Sequence, residues 1–402
     1  MRQASWYALV SLHILALGVV EGLNPFWPIW LAQTLSPDSA QYTVCLAALY
    51  GLPVFGAAIS ATFWGRFADR YNPSLNWVRS LLGLGSSLIC IAWIPSLFLM
   101  LLMRFTQGLM ASVLPASQHL ALQFDFNQGL FKLQSATAVA SILGPLWIGW
   151  MLATISFTQT LMYMGTTIIC AALLALCVFG IASKTKKMHT PATQTASSVL
   201  SSQSNSALFV TPRGWFLLLQ FARWIIVPVL ASLTLGLSQA DIVIAFVYCA
   251  LPLGMLAAKR CWQCCPTKAY ALAVPICLFC TMVFTAMQLL SDDIMVIILL
   301  RFCIGVALAP VMPWVQREYL QQYLQAGSKD SNGEKLTGKG SLLGLIQRQQ
   351  RLGMAAGLIL GSMLANQPFI ALSISALCYL CLSTFFIYRN FKGLKRYVSY
   401  SF

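Results

Sequence analysis

The chain has 402 residues, 58% of them hydrophobic and only 9% charged, with a mean hydropathy of +0.75. A soluble domain carries roughly a quarter of its residues as charges, so this composition excludes a protein whose solvent is water. The formal net charge of +15 raises the question of a polyanionic partner, but the placement of the charges along the chain excludes nucleic acid.

Crossing a bilayer takes about 20 apolar residues per helix, and the chain offers about twelve such runs. In lipid every backbone polar group needs an internal partner, which helices supply. The weak alternation over segments of about 10 residues that marks a lipid-facing β-barrel is absent. Reading the runs as helices from a cytoplasmic start, Arg66, Arg70, Lys132, Lys184, Lys186, Lys187, Arg213, Lys259, Arg260, Lys268, Arg317, Lys329, Lys335, Lys339, Arg389, Lys392, Lys395 and Arg396 fall on one side. The opposite loops carry Asp38, Asp241, Asp292 and Asp293. This is the positive-inside asymmetry. It predicts both termini in the cytoplasm and accounts for a pI near 9.4 with the bilayer as the partner.

The first run, about Trp6 to Ala32, is too long for a cleaved signal and has no evident small-residue cleavage site. It contains His13, Glu21, Asn24, Pro25 and the aromatic group Phe26, Trp27 and Trp30. Those aromatics read either as an interfacial belt or as part of a substrate cage. Glu21 is the one carboxylate deep inside a run. A charge at mid-bilayer costs several kcal/mol, and a group that holds a proton when dry and releases it when wetted behaves as a proton carrier must. Glu21 is therefore a candidate for proton coupling and substrate binding, or else a polar residue satisfied by a neighbouring helix. His13 reads as a packed polar side chain.

The second run, about Thr43 to Trp64, and the third, about Leu75 to Trp93, flank Gly65-Arg66-Phe67-Ala68-Asp69-Arg70-Tyr71. This stretch reads as a tight, doubly basic hairpin loop. The fourth run, about Leu97 to Leu120, contains Arg104-Phe105-x-x-Gly108, and the fifth, about Phe131 to Ala153, contains Gly144-Pro145-x-x-x-Gly149. Gly108, Gly144, Pro145 and Gly149 permit bending and close helix contact. The sixth run ends near Ser183.

From about Lys184 to Pro212 the composition shifts to Ser, Thr and Gln after a basic start, which reads as a flexible linker near the midpoint. The pattern then restarts over Gly214–Leu235, Ile242–Ala258, Ala269–Leu290, Ile294–Val315, Ser341–Ala365 and Pro368–Tyr388, with a polar loop from Gln316 to Gly340. The halves echo each other: Arg104-Phe105-x-x-Gly108 returns as Arg301-Phe302-x-x-Gly305, and Pro115 with Gln118 returns as Pro313 with Gln316. The predicted organisation is a six-helix bundle over 1–183, a cytoplasmic linker over 184–213 and a second six-helix bundle over 214–402. Such duplications belong to carriers whose substrate site lies between repeated bundles near the midplane.

Arg104, Arg223, Arg301, Arg348 and Arg351 all lie within apolar runs, and membrane arginines usually face the bundle interior or a water-filled cavity. Arg348 and Arg351, one turn apart with Gln347 and Gln350, read as a cavity lining that favours anions or as side chains snorkelling to the cytoplasmic interface. The sequence holds 13 cysteines. Most sit in apolar runs as small hydrophobes; Cys261, Cys264 and Cys265 form a cytoplasmic cluster without an evident fourth metal ligand. No Walker loop is present, and acid/base or metal-binding clusters are lacking, so neither an enzyme nor a cofactor or metal is expected and an ion gradient is the expected energy source.

On these residues the chain resembles the major facilitator superfamily. Gly65-Arg66-Phe67-Ala68-Asp69-Arg70 is similar to its loop signature between helices two and three, Arg104-x-x-x-Gly108 to its helix-four motif, and Gly144-Pro145-x-x-x-Gly149 to the helix-five motif of drug:proton antiporters. The resemblance implies a gate at Gly65, Arg66, Asp69 and Arg70, with Asp69 facing the start of helix eleven near Gly340-Ser341. A carboxylate at a helix N-terminus gains about 0.3–1 kcal/mol. It implies a coupling role for Glu21 and Arg104, and a cavity in which Glu21, Arg301, Arg348 and Arg351 meet the substrate. Where the family has Gly-Arg after the gate, this chain has Asn72-Pro73; Asn tolerates a left-handed turn, so the hairpin is expected to persist. The second-half copy, around Lys259 to Lys268, lacks the aspartate and glycine. The expected function is a monomeric, proton-coupled exporter of small amphiphiles in the bacterial inner membrane. The arginines tilt its substrate toward carboxylate-bearing anions such as a siderophore, with drugs as the other class. The alternatives are an uptake permease for an anionic metabolite or siderophore, and a non-transporting membrane sensor.

Overall fold

A computed structural model describes residues 2–94, 96–110, 113–124, 129–180, 212–234, 240–263, 267–291, 293–311, 314–315 and 339–399. Within them every regular element is helical, as lipid demands of the backbone. In chain order they are α1 (Arg2–Leu23), a 3-10 turn (Asn24–Phe26), α2 (Trp27–Ala32), α3 (Ala40–Arg70), α4 (Pro73–Trp93), α5 (Leu97–Met110), α6 (Val113–Phe124), α7 (Gly129–Leu152) and α8 (Phe157–Ala175) in the first half. The second half holds α9 (Pro212–Trp224), α10 (Ile226–Thr234), α11 (Ala240–Gln263), α12 (Thr267–Met287), α13 (Ile294–Leu308), α14 (Lys339–Met363) and α15 (Pro368–Ser399). Joined across their breaks, α1 with α2, α5 with α6 and α9 with α10 make the first, fourth and seventh crossings of a 12-helix bundle pair. Among the described residues, 9 helical stretches are long and apolar enough to cross a membrane, and Gly214–Leu230 and Ile294–Leu308 are shorter apolar helices. α14 misses that criterion, interrupted as it is by Gln347, Arg348, Gln349, Gln350 and Arg351.

Three expectations need correction. The first run is not one helix: Pro25 and Pro28 cannot donate to the helical ladder, and the chain turns through the 3-10 segment there. The charged stretch after the second run is not a loop either. Gly65 to Arg70 continue α3, and only Tyr71 and Asn72 separate it from α4. Asn72 is not left-handed. Its φ of −145° and ψ of 123° are extended, and its side chain caps α4 by accepting from the Ser74 N–H at 2.8 Å. With Pro73 at the first helical position, where no N–H is needed, the cap explains why Asn-Pro can stand where the family has Gly-Arg. The proposed linker 184–213, apart from its last two residues, and the loop from Gln316 through Gly338 lie outside the described residues, as do Cys264 and Cys265.

The two halves are built by the same close approach. A Cβ on Gly108 would run into the Pro53 carbonyl, and one on Gly305 into the Leu251 carbonyl. Thus the Arg-Phe-x-x-Gly motif lets α5 lie against α3 and α13 against α11 with backbones nearly touching, the way helices associate where lipid removes the hydrophobic drive. The motif of the fifth crossing acts similarly on a different neighbour. A Cβ on Gly144 of α7 would strike the Gly18 carbonyl of α1, one turn before Glu21. Gly149 and Pro145 are buried in the same helix.

Across the halves, α14 packs along α3. A Cβ on Gly344 would lie 2.5 Å from the Ala61 carbonyl, and one on Gly51 would lie 2.6 Å from Ile359. The Gln347 amide donates to Gln118 Oε1 at 3.3 Å on one side, and the Asn366 amide to the Pro37 carbonyl at 3.4 Å on the other. The Cys249 thiol of α11 donates to the Ile142 carbonyl of α7 at 3.0 Å. The halves therefore touch on both sides of the midplane.

At the Gly18–Gly144 contact the two glycines differ in tolerance. The nearest atom to a Cβ on Gly18 lies at 3.7 Å, an ordinary contact. Gly144→Ala should therefore cost about 1–3 kcal/mol, as overpacking does, while Gly18→Ala should stay within about 0.5 kcal/mol of wild type. Thermal melting of the two purified variants in detergent checks the difference; equal midpoints would contradict this packing.

Candidate functional site

Prolines in membrane helices release carbonyls that need new donors. Pro53 in α3 cannot donate to Leu49, and the Leu49 carbonyl instead accepts from Arg104 Nε at 3.3 Å and Nη2 at 3.2 Å. Pro28 cannot donate to Asn24, and the Asn24 carbonyl accepts from the Tyr50 hydroxyl at 2.7 Å. A buried arginine and a buried tyrosine are thus drawn to the interior by the backbone. Arg104 is completed by a hydrogen bond to Gln107 Oε1 and by the Trp27 ring, whose centroid lies 4.5 Å from its guanidinium carbon.

The second half also sets an arginine and a tyrosine on backbone carbonyls, here at Val247 and Val227, which have no proline four residues on. Arg301 Nε donates to the Val247 carbonyl at 3.1 Å. The next residue, Tyr248, donates its hydroxyl to the Val227 carbonyl at 2.5 Å, as Tyr50, next to Leu49, does to Asn24. The Tyr50 and Tyr248 hydroxyls neighbour each other across the boundary between the halves, each giving its proton to a carbonyl.

Two small cavities meet at this boundary. The first, about 70 Å³, is lined by Glu21, Asn24, Tyr50, Arg104, Gln107 and Arg351 together with Val19, Val20, Leu84, Leu88, Met354 and Leu358. The second, about 50 Å³, is lined by Glu21, Asn24, Ser141, Arg223, Trp224, Tyr248 and Arg301 with Val227, Leu251 and the two prolines Pro145 and Pro252. Glu21 and Asn24 stand in the wall common to both. The Glu21 carboxylate accepts a hydrogen bond from the Asn24 side chain, and its nearest cationic neighbours are Arg351 and Arg223. Arg351 also donates to the Met354 thioether at 3.5 Å, and Arg223 lies over the Trp224 ring at 5.6 Å. Tyr379 stands beside Arg223 and Arg301. The lobes therefore pair Arg104 with Arg351 and Arg223 with Arg301, around a single carboxylate. Pockets for small molecules are typically about 300–1,000 Å³, so this site must widen to admit one.

Of the residues expected in the cavity, Glu21, Arg104, Arg301 and Arg351 come together. Arg348 is exposed and lines neither lobe; one turn from Arg351, it lies on another face of α14. Trp27 is fully buried under Arg104, in edge-to-face contact with Trp30 and Phe157, and so is no interfacial belt residue. His13 is packed, its Nε2 3.0 Å from Thr137 Oγ1. Gly65 is buried, while Arg66, Asp69 and Arg70 are exposed in the last turns of α3. They lie two turns beyond Ala61, which faces Gly344 near the start of α14. The sequence reading missed Asn24, Tyr50, Gln107, Tyr248 and Tyr379. For Asn24 the available signal was the proline four residues on, for Tyr50 the carbonyl which that proline frees, and for Tyr248 its repeat of Tyr50.

The sequence profile described as Major Facilitator Superfamily matches residues 9–324. The chain is 26% identical over 187 residues to the staphyloferrin B transporter of Staphylococcus aureus, covering 46% of this chain and 44% of that protein. It is 23% identical over 233 residues to the multidrug resistance protein MdtG of Proteus mirabilis, covering 56% of each. The chain thus spans about half the length of these curated relatives. Among solved structures, the human organic anion transporter MFSD10 superimposes with a TM-score of 0.61 at 14% identity, over 96% of this chain and 98% of that one. A bacterial homologue of the human drug peptide transporters PepT1 and PepT2 does so at 0.60 and 10% identity, over 98% of both. These two likenesses show the fold.

The contrast between Arg348 and Arg351 can be measured. In a background stripped of native cysteines, Arg348→Cys should react with a bulky maleimide at about the rate of a free surface thiol. Arg351→Cys, in the cavity wall, should react at least about tenfold more slowly, because a bulky reagent reaches it only when the halves part. Similar rates at both positions would place Arg351 outside the cavity.

Proposed function

The chain belongs to the Major Facilitator Superfamily, and on that premise we propose that it is a secondary carrier that exports small amphiphilic anions, coupled to protons through Glu21. The observation that carries this reading is the cavity between the halves, where Arg104, Arg223, Arg301 and Arg351 face one carboxylate. Guanidinium groups taken out of water need anionic partners, and a carboxylate-bearing substrate supplies them. The apolar walls, Val19, Val20, Leu84, Leu88, Met354 and Leu358, suit the remainder of an amphiphile.

Alternating access would come from rocking of the two bundles about this cavity. Asp69, two turns beyond Ala61 on α3, would latch the inner face by engaging the N-terminus of α14, with Arg66 and Arg70 beside it on the same turns of α3. Outward direction is supported by the Gly144-Pro145-x-x-x-Gly149 motif and by relatives named for siderophore transport and multidrug resistance. The inner bacterial membrane, with both termini in the cytoplasm, fits the charge asymmetry of the loops. Uptake of an anionic metabolite is the second reading. The arginine excess favours it as much as it favours export.

Carboxyfluorescein loaded into cells as its ester serves as an anionic test cargo. Deleting the gene should slow dye loss, and a protonophore should change the rate in wild-type cells only; faster loss in the deletion strain would overturn export. Glu21→Gln should insert normally and lose the dependence of dye loss on the transmembrane pH difference, read with the membrane potential clamped by potassium and valinomycin. Asp69→Asn should insert normally too. Removing about 0.3–1 kcal/mol from the closed inner gate should alter the balance of inward- and outward-open forms by about two- to fivefold, read by thiol labelling from each side.

A further inference from the structure

This inference rests on the anionic reading above and concerns the sign of its coupling to protons. Glu21 stands in the wall shared by both lobes, so an anion entering either one comes to lie beside it. In each lobe one arginine is tied to backbone: Arg104 to Leu49 and Arg301 to Val247. The other, Arg351 or Arg223, is a near neighbour of the Glu21 carboxylate. Glu21 is thus the counter-ion that an arriving anion must replace.

We propose that the cavity binds a dianion with one anionic group in each lobe, and that this dianion travels together with a proton on Glu21 rather than in exchange for one. When an anionic group takes over Arg351 or Arg223, Glu21 loses a cationic neighbour and gains an anionic one. Both changes favour its neutral form. By reciprocity a proton on Glu21 frees the guanidinium groups for the anion. The other titratable groups around Glu21, namely Arg104 from α5, Arg301 from α13, Tyr50 from α3 and Tyr248 from α11, do not reverse this sign. The α7 wall contributes Ser141 and Pro145, neither of which titrates at ordinary pH. Exchange would require substrate and proton to compete for Glu21, as a cation does and an anion does not. A dianion carried with one proton moves one net negative charge, so export is drawn by an inside-negative potential and opposed by external acid.

The test uses para-phenylene diacetate, its monomethyl ester and its dimethyl ester, added to the purified full-length protein in weakly buffered detergent with an indicator dye. The dianion should bind at least about tenfold more tightly than the monoester, with net proton uptake from the medium, and its affinity should rise as pH is lowered from about 8 to about 6. Proton uptake should vanish in Glu21→Gln. Proton release on binding, or affinity falling with acid, would overturn co-transport while leaving the anionic reading intact. A monoester as tight as the dianion would overturn the division into two anion lobes. A dimethyl ester that binds as well as the dianion, or a folded wild-type protein that binds no dianion, would overturn the anionic reading itself. The wild-type affinity profile decides the coupling sign even if Glu21→Gln fails to fold.

Discussion

A backbone carbonyl released by a proline in a lipid-buried helix must find another donor, and the first-half wall of the central cavity follows from that requirement. Water is not available to solvate it, so the donors come from side chains. At Leu49 the donor is Arg104, and at Asn24 it is Tyr50. Each donor carries more than it needs to satisfy one carbonyl. The arginine brings a full charge, and the tyrosine brings a hydroxyl within reach of its counterpart Tyr248. In the first half, helix distortion and cavity chemistry therefore share a cause: Pro53 and Pro28 draw Arg104 and Tyr50 to the centre.

The second consequence is an imbalance of charge. Arg104, Arg223, Arg301 and Arg351 surround one carboxylate, in a region where each unpaired ion costs several kcal/mol. Carbonyls, aromatic faces and a thioether offset part of that cost: Trp27 under Arg104, Trp224 under Arg223 and Met354 beside Arg351. None of these supplies a negative charge. A binding site that is stable when empty but incomplete in charge favours ligands that complete it, and it ties the one acidic group to their arrival.

Packing supplies the rest. The same glycine in each half brings α5 onto α3 and α13 onto α11, while Gly144 brings α7 onto α1 just before Glu21. Because these contacts are made by backbone, they hold each half as a rigid unit. Between the halves α14 lies along α3 and α11 along α7, and beside these packed faces stand single hydrogen bonds, Gln347 to Gln118, Asn366 to Pro37 and Cys249 to Ile142, which break at small cost.

The sequence by itself determined the solvent, the number of crossings, the duplication and the presence of Glu21 and the arginines, because composition, run length and motif spacing are local quantities that lipid constrains severely. It misread Gly65 to Arg70 as a loop, since charge alone does not end a helix that Asn72 and Pro73 allow to continue. It also put Trp27 in a possible belt and Arg348 in the cavity. A one-turn spacing suggests a common face, but only the packing of α14 against α3 and α9 decides which face is turned inward. The pairing of Tyr50 with Tyr248, and the sharing of Glu21 between two arginine-lined lobes, were decided by tertiary structure alone, because they join residues that lie far apart in the chain and meet only where the two bundles close.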